Sequence, residues 1–413
     1  MTDCVPSPRP LTAPRTTVRP PAAARSVLRL LAHLRHGTLD LHQPDGTHTR
    51  FGSGQAPRAT MRLQDWTVCS AVLQRGDIGL ADSYLAGHWH SPDLTALLRL
   101  FIANREVIER AVYGSWWGSA LQRLRHLLNR NSRAGSRRNI AAHYDLGNDF
   151  YRLWLDPTMN YSSAWFEAGR ETDLVAAQQA KMRRALQQAG VQPGSQVLEI
   201  GCGWGAVAEL AARDFGAKLT GITLSQEQLR YGRERLAAAG LDAATELRLQ
   251  DYRDVVNQGE ARFDAVVSIE MFEAVGREYW PGYFKAVHQA LKPGGRACVQ
   301  TITIRDDLFE RYARSTDFIQ QYIFPGGMLP SASEFRRAAE AAGLVVETSF
   351  HFGPDYAETL RRWHTAFQLQ AAAIEQQGYD SHFMRLWSYY LCYCEAAFDE
   401  GNTDVVQFTL RKP

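Results

Sequence analysis

"SQVLEIGCGWG", residues 195–205, decides the fold. Its first half is an apolar run interrupted by a single acid, as in a strand buried by its neighbours. Its second half is a glycine turn, Gly201, Gly203 and Gly205, which opens directly into "AVAELAARDFG", a helix stopped at Gly216. Strand, glycine turn and helix in that order form the first unit of an alternating fold, and the alternation continues outward. "DLVAAQQAKMRRALQQAG" (173–190) reads as a helix before it. After it come the strands "AKLTGITL", "TELRLQDY", "FDAVVSIEMFEAVG" and "RACVQTITI". Between them lie the helices "SQEQLRYGRERLAAAG", with Ser225 as N-cap, and "YWPGYFKAVHQALKPGG" (279–295). Strands and helices of these lengths predict an α/β domain, a doubly wound parallel sheet with helices on both faces.

The remaining chain bounds the problem. Its 413 residues allow two or three domains, and a net charge near +2 names no partner. The six cysteines are scattered without CxxC pairs, so neither a metal site nor a disulfide framework is expected. Cys392 and Cys394 read as thiols of an aromatic helix. A reducing cytoplasm fits this usage. No apolar run approaches the ~18 residues that cross a bilayer, and no apolar core of a secretory signal opens the chain. Residues 1–22, rich in Pro, Arg, Thr and Ala, read as a disordered tail. Residues 25–110 read as a smaller mixed N-terminal domain. It has a hairpin around Pro44-Asp45-Gly46, a helix "DWTVCSAVLQRG", and one long helix "LTALLRLFIANREVIERAV" capped by Ser91 or Asp93.

Residues 111–144 contain no acid and carry Arg123, Arg125, Arg130, Arg133, Arg137 and Arg138 beside Trp116 and Trp117. One reading is a basic linker (111–140) that touches anionic phospholipid headgroups, at about 1 kcal/mol per basic residue. The other is a solvated arginine-rich linker. Nucleic acid is not expected, because the chain as a whole is not basic.

A lone glycine turn is a weak sign, since dinucleotide enzymes use one too. Two details favour S-adenosylmethionine. Glu199 stands before the glycines, where a carboxylate can face the ligand's ammonium group, and GxGxG replaces GxGxxG. Asp251, at the end of "TELRLQD", is placed to accept from adenine N6. The second strand ends in "GITLSQEQ" with no acid for the ribose, which leaves Thr223 and Gln228 as the polar candidates.

Several stretches together resemble one family. They are "HYDLGNDFYRLWLDPTMNYSSAWF" (143–166), "VLEIGCGWG", "GITLSQEQ", "LQDYRD", "FPGGMLPS" (324–331) and "FGPDYAETLRRW" (352–363). They are similar to the cyclopropane fatty-acid synthases, including the mycolic-acid cyclopropane synthases, over about residues 30–410. The resemblance implies a class I methyltransferase domain with a helical acyl-chain lid (141–413) behind a lipid-binding-type N-terminal domain. It places Tyr161, Ser162, Gly201, Gly203, Thr223, Leu224, Gln228, Asp251, Tyr252 and Ile269 at cofactor contacts. It also implies a bicarbonate ion beside the transferred methyl group, held by a cysteine, a glutamate, a histidine and a tyrosine. Here those positions are Ser163, Glu273, Gln300 and Tyr356, so two of them depart from the pattern.

The implied reaction moves a methyl(ene) carbon to the cis double bond of an unsaturated phospholipid acyl chain, giving a cyclopropane. The enzyme would sit at the cytoplasmic surface of the inner membrane, with a homodimer as a candidate assembly. The altered anion site keeps a methyl-branched or methylene product open, as well as a non-catalytic lipid-binding protein. Ser163 and Gln300 are expected to donate side-chain hydrogen bonds to bicarbonate. In the competing reading Glu273, or Glu270 in place of a common family glycine, removes the proton directly. Glu270 is otherwise a structural carboxylate. Tyr144, Phe272, Tyr322, Trp363 and Tyr389 are the aromatic candidates for the acyl tunnel, although each taken singly reads more readily as core packing.

Overall fold

The computed structural model describes residues 20–112, 146–255 and 262–413. Most of the tail, nearly all of the basic linker, and Tyr144 lie outside them. Among the described residues, eleven strands form two sheets.

The smaller sheet belongs to the N-terminal unit. β1 (Thr38–His42) and β2 (His48–Gly52) are the antiparallel hairpin expected around Pro-Asp-Gly. β3 (Arg58–Leu63) runs parallel to β1, and β4 (Trp89–His90) closes the edge. The expected long helix is two helices, Leu94–Ala103 and Arg105–Val112. Asn104 separates them because its side chain has other work. Its Oδ1 accepts from Arg35 N (2.7 Å) and His36 N (3.0 Å), and its Nδ2 donates to His36 O (2.7 Å). Asp93, not Ser91, caps the first of the pair by accepting from Ala96 N at 2.8 Å. The earlier helix breaks where expected, at Gly76 (φ +59), but a second helical run continues to Leu85.

The larger sheet has the order β10-β11-β9-β8-β5-β6-β7. β5 (Gln196–Ile200), β6 (Lys218–Thr223), β7 (Thr245–Leu249), β8 (Phe263–Ile269) and β9 (Leu291–Ile304) are parallel. β11 (Thr403–Arg411) enters antiparallel between β9 and β10 (Val345–His351). This is the expected doubly wound sheet with a reversed strand near one edge. The helix before β9 ends at Ala290, not at Gly295. Gly294 (φ +78) donates to Lys412 O, and Lys412 donates to Gly295 O, so β11 draws this stretch into the sheet.

Each face of the sheet buries its own apolar layer. One is built around Phe272, Phe284 and Phe335, the other around Met182, Leu186 and Leu210. A third core joins the N-terminal unit to the helices Gly353–Leu369 and Ser381–Asp399 through Trp89, Leu97, Trp363 and Tyr389. These two helices cover the C-terminal ends of the parallel strands, where ligands bind in open α/β sheets. Cys392 is buried in the second and Cys394 half-buried. Among the described residues no helix is long and apolar enough to cross a membrane.

Candidate active site

The turn after β5 is built for close approach. Gly201 has φ +87, and a Cβ there would come within 2.9 Å of the Met271 side chain. Any other residue would therefore be both strained and crowded. Trp204 donates Nε1 to Asn148 Oδ1 at 2.7 Å, which ties the glycine turn to the "HYDLGNDF" stretch. In front of the turn opens a cavity of about 330 Å³. Of the expected cofactor contacts, Tyr161, Ser162, Gly201, Gly203, Thr223, Leu224, Gln228, Tyr252 and Ile269 line it. Thr223 Oγ1 and Gln228 Oε1 bond to each other at 3.0 Å.

Two expected contacts stand back from the cavity. Glu199 is buried beneath the turn, its Oε2 has no protein partner, and burial pushes its carboxyl up to about 8. Asp251 is 2 % exposed and grips Arg253, with Nε to Oδ1 at 2.8 Å and Nη2 to Oδ2 at 2.5 Å. Arg253 itself faces the cavity. The glycine turn, the polar pair Thr223 and Gln228 and the unpartnered Glu199 oxygen together fit S-adenosylmethionine, which would lie along this edge.

The loop 161–166 forms the opposite wall. Gln178 Nε2 donates to Ser162 O (2.8 Å) and Lys181 Nζ to Ser162 Oγ (2.5 Å), both from the helix Leu174–Gln188. Thr359 and Asp355, on the helix Gly353–Leu369, accept from Ala164 N and Phe166 N at 3.1 Å each. Ser163 is thereby fully buried with its backbone N–H facing the site. Its hydroxyl turns away and donates to Ala164 O at 2.9 Å, contrary to expectation. The main chain makes the contact, so it does not depend on whether cysteine or serine stands there.

That N–H meets Glu270. The Glu270 Oε1 accepts from Ser163 N (2.8 Å) and Gln300 Nε2 (2.7 Å), and its Oε2 from Tyr356 OH (2.7 Å). These are three of the four positions assigned to bicarbonate, and a carboxylate of the chain itself engages all three. Bicarbonate does not fit in the same place. Glu270 also has φ +48, a left-handed backbone that costs a side-chain-bearing residue about 1–2 kcal/mol. This is the conformation that the glycine implied here by the resemblance would adopt freely, so a glutamate carries a cost. Burial raises the Glu270 carboxyl, while Lys181 and the hydrogen bonds from Tyr356, Ser163 and Gln300 pull the other way. Lys181 is fully buried and brought down to about 8 by burial, with Glu270 and Asp156 opposing that shift.

Glu273, the fourth position, accepts from Thr301 Oγ1 (3.0 Å) and Ile302 N through Oε1. Its Oε2 has no protein partner. Burial first, and then the charge of Glu270, pushes this carboxyl up. The two carboxylates are thus separated in role, one fully ligated and one open.

The aromatic tunnel candidates Phe272, Trp363 and Tyr389 take the core reading. Trp363 and Tyr389 are fully buried in the core, and neither they nor Phe272 and Tyr322 line the cavity. Phe324, Met328, Leu360, Tyr390 and Phe398 do. Tyr390 OH and Tyr161 OH bond at 2.7 Å across it. Sequence reasoning had no signal for these, because core and tunnel aromatics share one periodicity.

The model of the mycolic acid cyclopropane synthetase family matches residues 131–408. The chain is 40% identical over 397 residues to the tuberculostearic acid methyltransferase UfaA1 of Mycobacterium tuberculosis, covering 94% of this chain and 91% of that protein. It is 35% identical to the cyclopropane-fatty-acyl-phospholipid synthase of Escherichia coli K12, over 84% of this chain and 86% of the relative. The solved mycolic acid cyclopropane synthase CmaA1 with SAH and CTAB superposes with a TM-score of 0.62 at 34% identity, covering 67% of this chain and 98% of that one. With this glycine turn, this cavity and this match, the chain belongs to the mycolic acid cyclopropane synthetase family and is an S-adenosylmethionine-dependent C-methyltransferase.

Proposed function

We propose that the enzyme methylates the cis double bond of an unsaturated phospholipid acyl chain and that Glu270 removes the proton that completes the product. The observation that carries this reading is the Glu270 carboxylate, held by three donors at a strained backbone position facing a largely apolar cavity. Strain of this kind persists where surrounding structure over-determines it, and it clusters at functional sites. The substrate class is supported by the Escherichia coli relative, named for fatty-acyl-phospholipid.

When bound, S-adenosylmethionine supplies an electrophilic sulfonium methyl. The cavity wall of Leu360, Phe324, Met328 and Phe398 excludes water and aligns the alkene, which is a poor nucleophile and depends on positioning. The alkene's π pair forms the new C–C bond and leaves a cation on the adjacent carbon. Tyr161 and Tyr390 offer their ring faces to that charge. Glu270 then takes a proton from the added methyl group, and the C–H pair closes onto the cation as a cyclopropane. Asp251 holds Arg253 at the cavity wall, and Glu199 backs the glycine turn from beneath.

A second reading is favoured by the 40% identity to a tuberculostearic acid methyltransferase. If a hydride shifts to the cation before Glu270 acts, the same proton removal leaves a methylene group. A separate hydride donor would then reduce it to a methyl branch. The enzyme is placed at the cytoplasmic surface of the inner membrane, a placement supported by the composition of residues 111–140.

The test uses S-adenosylmethionine with a trideuterated methyl group and liposomes of cis-unsaturated phospholipid, with products read by mass spectrometry and NMR. Two retained deuteriums in a ring support the first product, and two in a vinylidene group the second. Three would show that the proton leaves from elsewhere and would overturn the role of Glu270. Glu270→Gln should lower turnover by about 10²–10⁴-fold with cofactor affinity kept.

A further inference from the structure

A line of side chains runs from the back of the Glu270 carboxylate along one face of the sheet to the helix Leu174–Gln188. Gln300 on β9 stands directly opposite Gln407 on β11. They are 0 % and 1 % exposed, so neither amide reaches solvent. Arg184, on the helix Leu174–Gln188, donates Nη1 to Gln407 Oε1 at 2.6 Å. A guanidinium has donors only, so Gln407 must turn its oxygen toward it. The Nε2 of Gln407 then faces Lys181 O (3.1 Å) and Gln300 Oε1 (3.0 Å). With its oxygen engaged, Gln300 has one orientation left, Nε2 toward Glu270 at 2.7 Å. A lone amide at 300 could flip and set oxygen against carboxylate. The direction of the whole line is imposed from its charged end.

Arg184 is suited to that end. Its guanidinium lies 3.8 Å from the Phe350 ring centroid and 5.9 Å from that of Trp165. Among the described residues no carboxylate pairs with it, and its charge is directed into the amide line.

We propose that Arg184 and Gln407 are positioning residues that lock the Gln300 amide toward Glu270 and so hold the carboxylate aligned on the reacting carbon. The consequence for turnover rests on the reading of Glu270 as the base. The charged and titratable groups facing Glu270 are Lys181 from the helix Leu174–Gln188, Tyr356 from the helix Gly353–Leu369, and Glu273 from the turn after β8. The array adds to them a donor that favours the ionised carboxylate. Losing that donor raises the pH at which Glu270 ionises, so the acid limb of turnover moves up by about one unit, or about tenfold at a fixed pH below the limb.

Gln407→Glu is the sharpest probe. It keeps the pair with Arg184 and the side-chain shape, but it can only accept, so it draws Gln300 Nε2 away from Glu270. Arg184→Met frees both amides, and Arg184→Lys keeps a charged donor. In the full-length enzyme, the pH profile of kcat/KM should shift upward in Gln407→Glu and Arg184→Met and be partly restored in Arg184→Lys. Cofactor affinity should hold in all three. Difference infrared spectroscopy against Glu270→Gln reads the titration of this one carboxylate without turnover. An upward shift of that titration in Gln407→Glu supports the array, and an unchanged one overturns it, whatever the rates do. Wild-type turnover by Glu270→Gln would remove the base reading alone, since the array would still be judged by the infrared titration. If Arg184→Met fails to fold, Gln407→Glu and Arg184→Lys decide.

Discussion

At residue 163 the main chain makes the contact, so a serine or a cysteine would make it alike. The Ser163 N–H holds Glu270, while the hydroxyl bonds to Ala164 O. Ser163→Ala should therefore keep turnover within about twofold and cost about 1 kcal/mol in stability, the ordinary net value of one hydrogen bond. A loss of activity comparable to that of Glu270→Gln would show that the hydroxyl takes part. Residue 270 is the contrasting case, a side chain added where the backbone prefers none. The family resemblance draws attention to that position, but its meaning needed the three donors. A carboxylate at 270 is equally compatible with pointing to solvent until Tyr356, Ser163 and Gln300, distant in sequence, are seen around it.

At the scale of elements, strand and helix positions in the sheet domain follow the sequence periodicity closely. Each strand packs between neighbours that demand the same apolar pattern. The misses lie where a distant segment intervenes. Asn104 reads as one more position of a long helix, yet it ends that helix by serving the chain at Arg35 and His36. Asn104→Leu leaves the amides of Arg35 and His36 without that acceptor and should cost about 2 kcal/mol by chemical denaturation. Asn104→Asp keeps the acceptor and should cost less. Equal losses in the two would mean that the site is set by shape and not by these bonds.

At the scale of the molecule, the N-terminal unit packs into the rest of the chain, since its Trp89 and Leu97 share a core with the helices Gly353–Leu369 and Ser381–Asp399. Two carboxyls meet at this junction. Asp77, on the helix Thr67–Leu85, accepts from Phe318 N (3.3 Å) and Tyr393 OH (3.4 Å). Asp317 caps the helix Phe318–Tyr322. Burial pushes Asp317 up to about 7, and the charge of Asp77 adds to this. The folded state thus keeps a proton that the unfolded chain releases near pH 4. That stabilisation is complete below about pH 4 and is lost as the pH rises through about 7. Asp317→Asn retains the cap acceptor and should gain stability relative to the parent as pH rises from 4 to 8, read as the difference in Tm. A difference that stays flat with pH would show that Asp317 does not titrate in this window.

The order of strands and helices and the glycine turn were readable from the chain alone. They depend on local pattern, and the glycine turn on a residue type that backbone geometry dictates. Which side chains surround Glu270, which atom of Ser163 faces it, and how Arg184, Gln407 and Gln300 connect were decided only by the fold. Those contacts join residues more than a hundred positions apart in sequence, and no local pattern encodes which side-chain atom meets which.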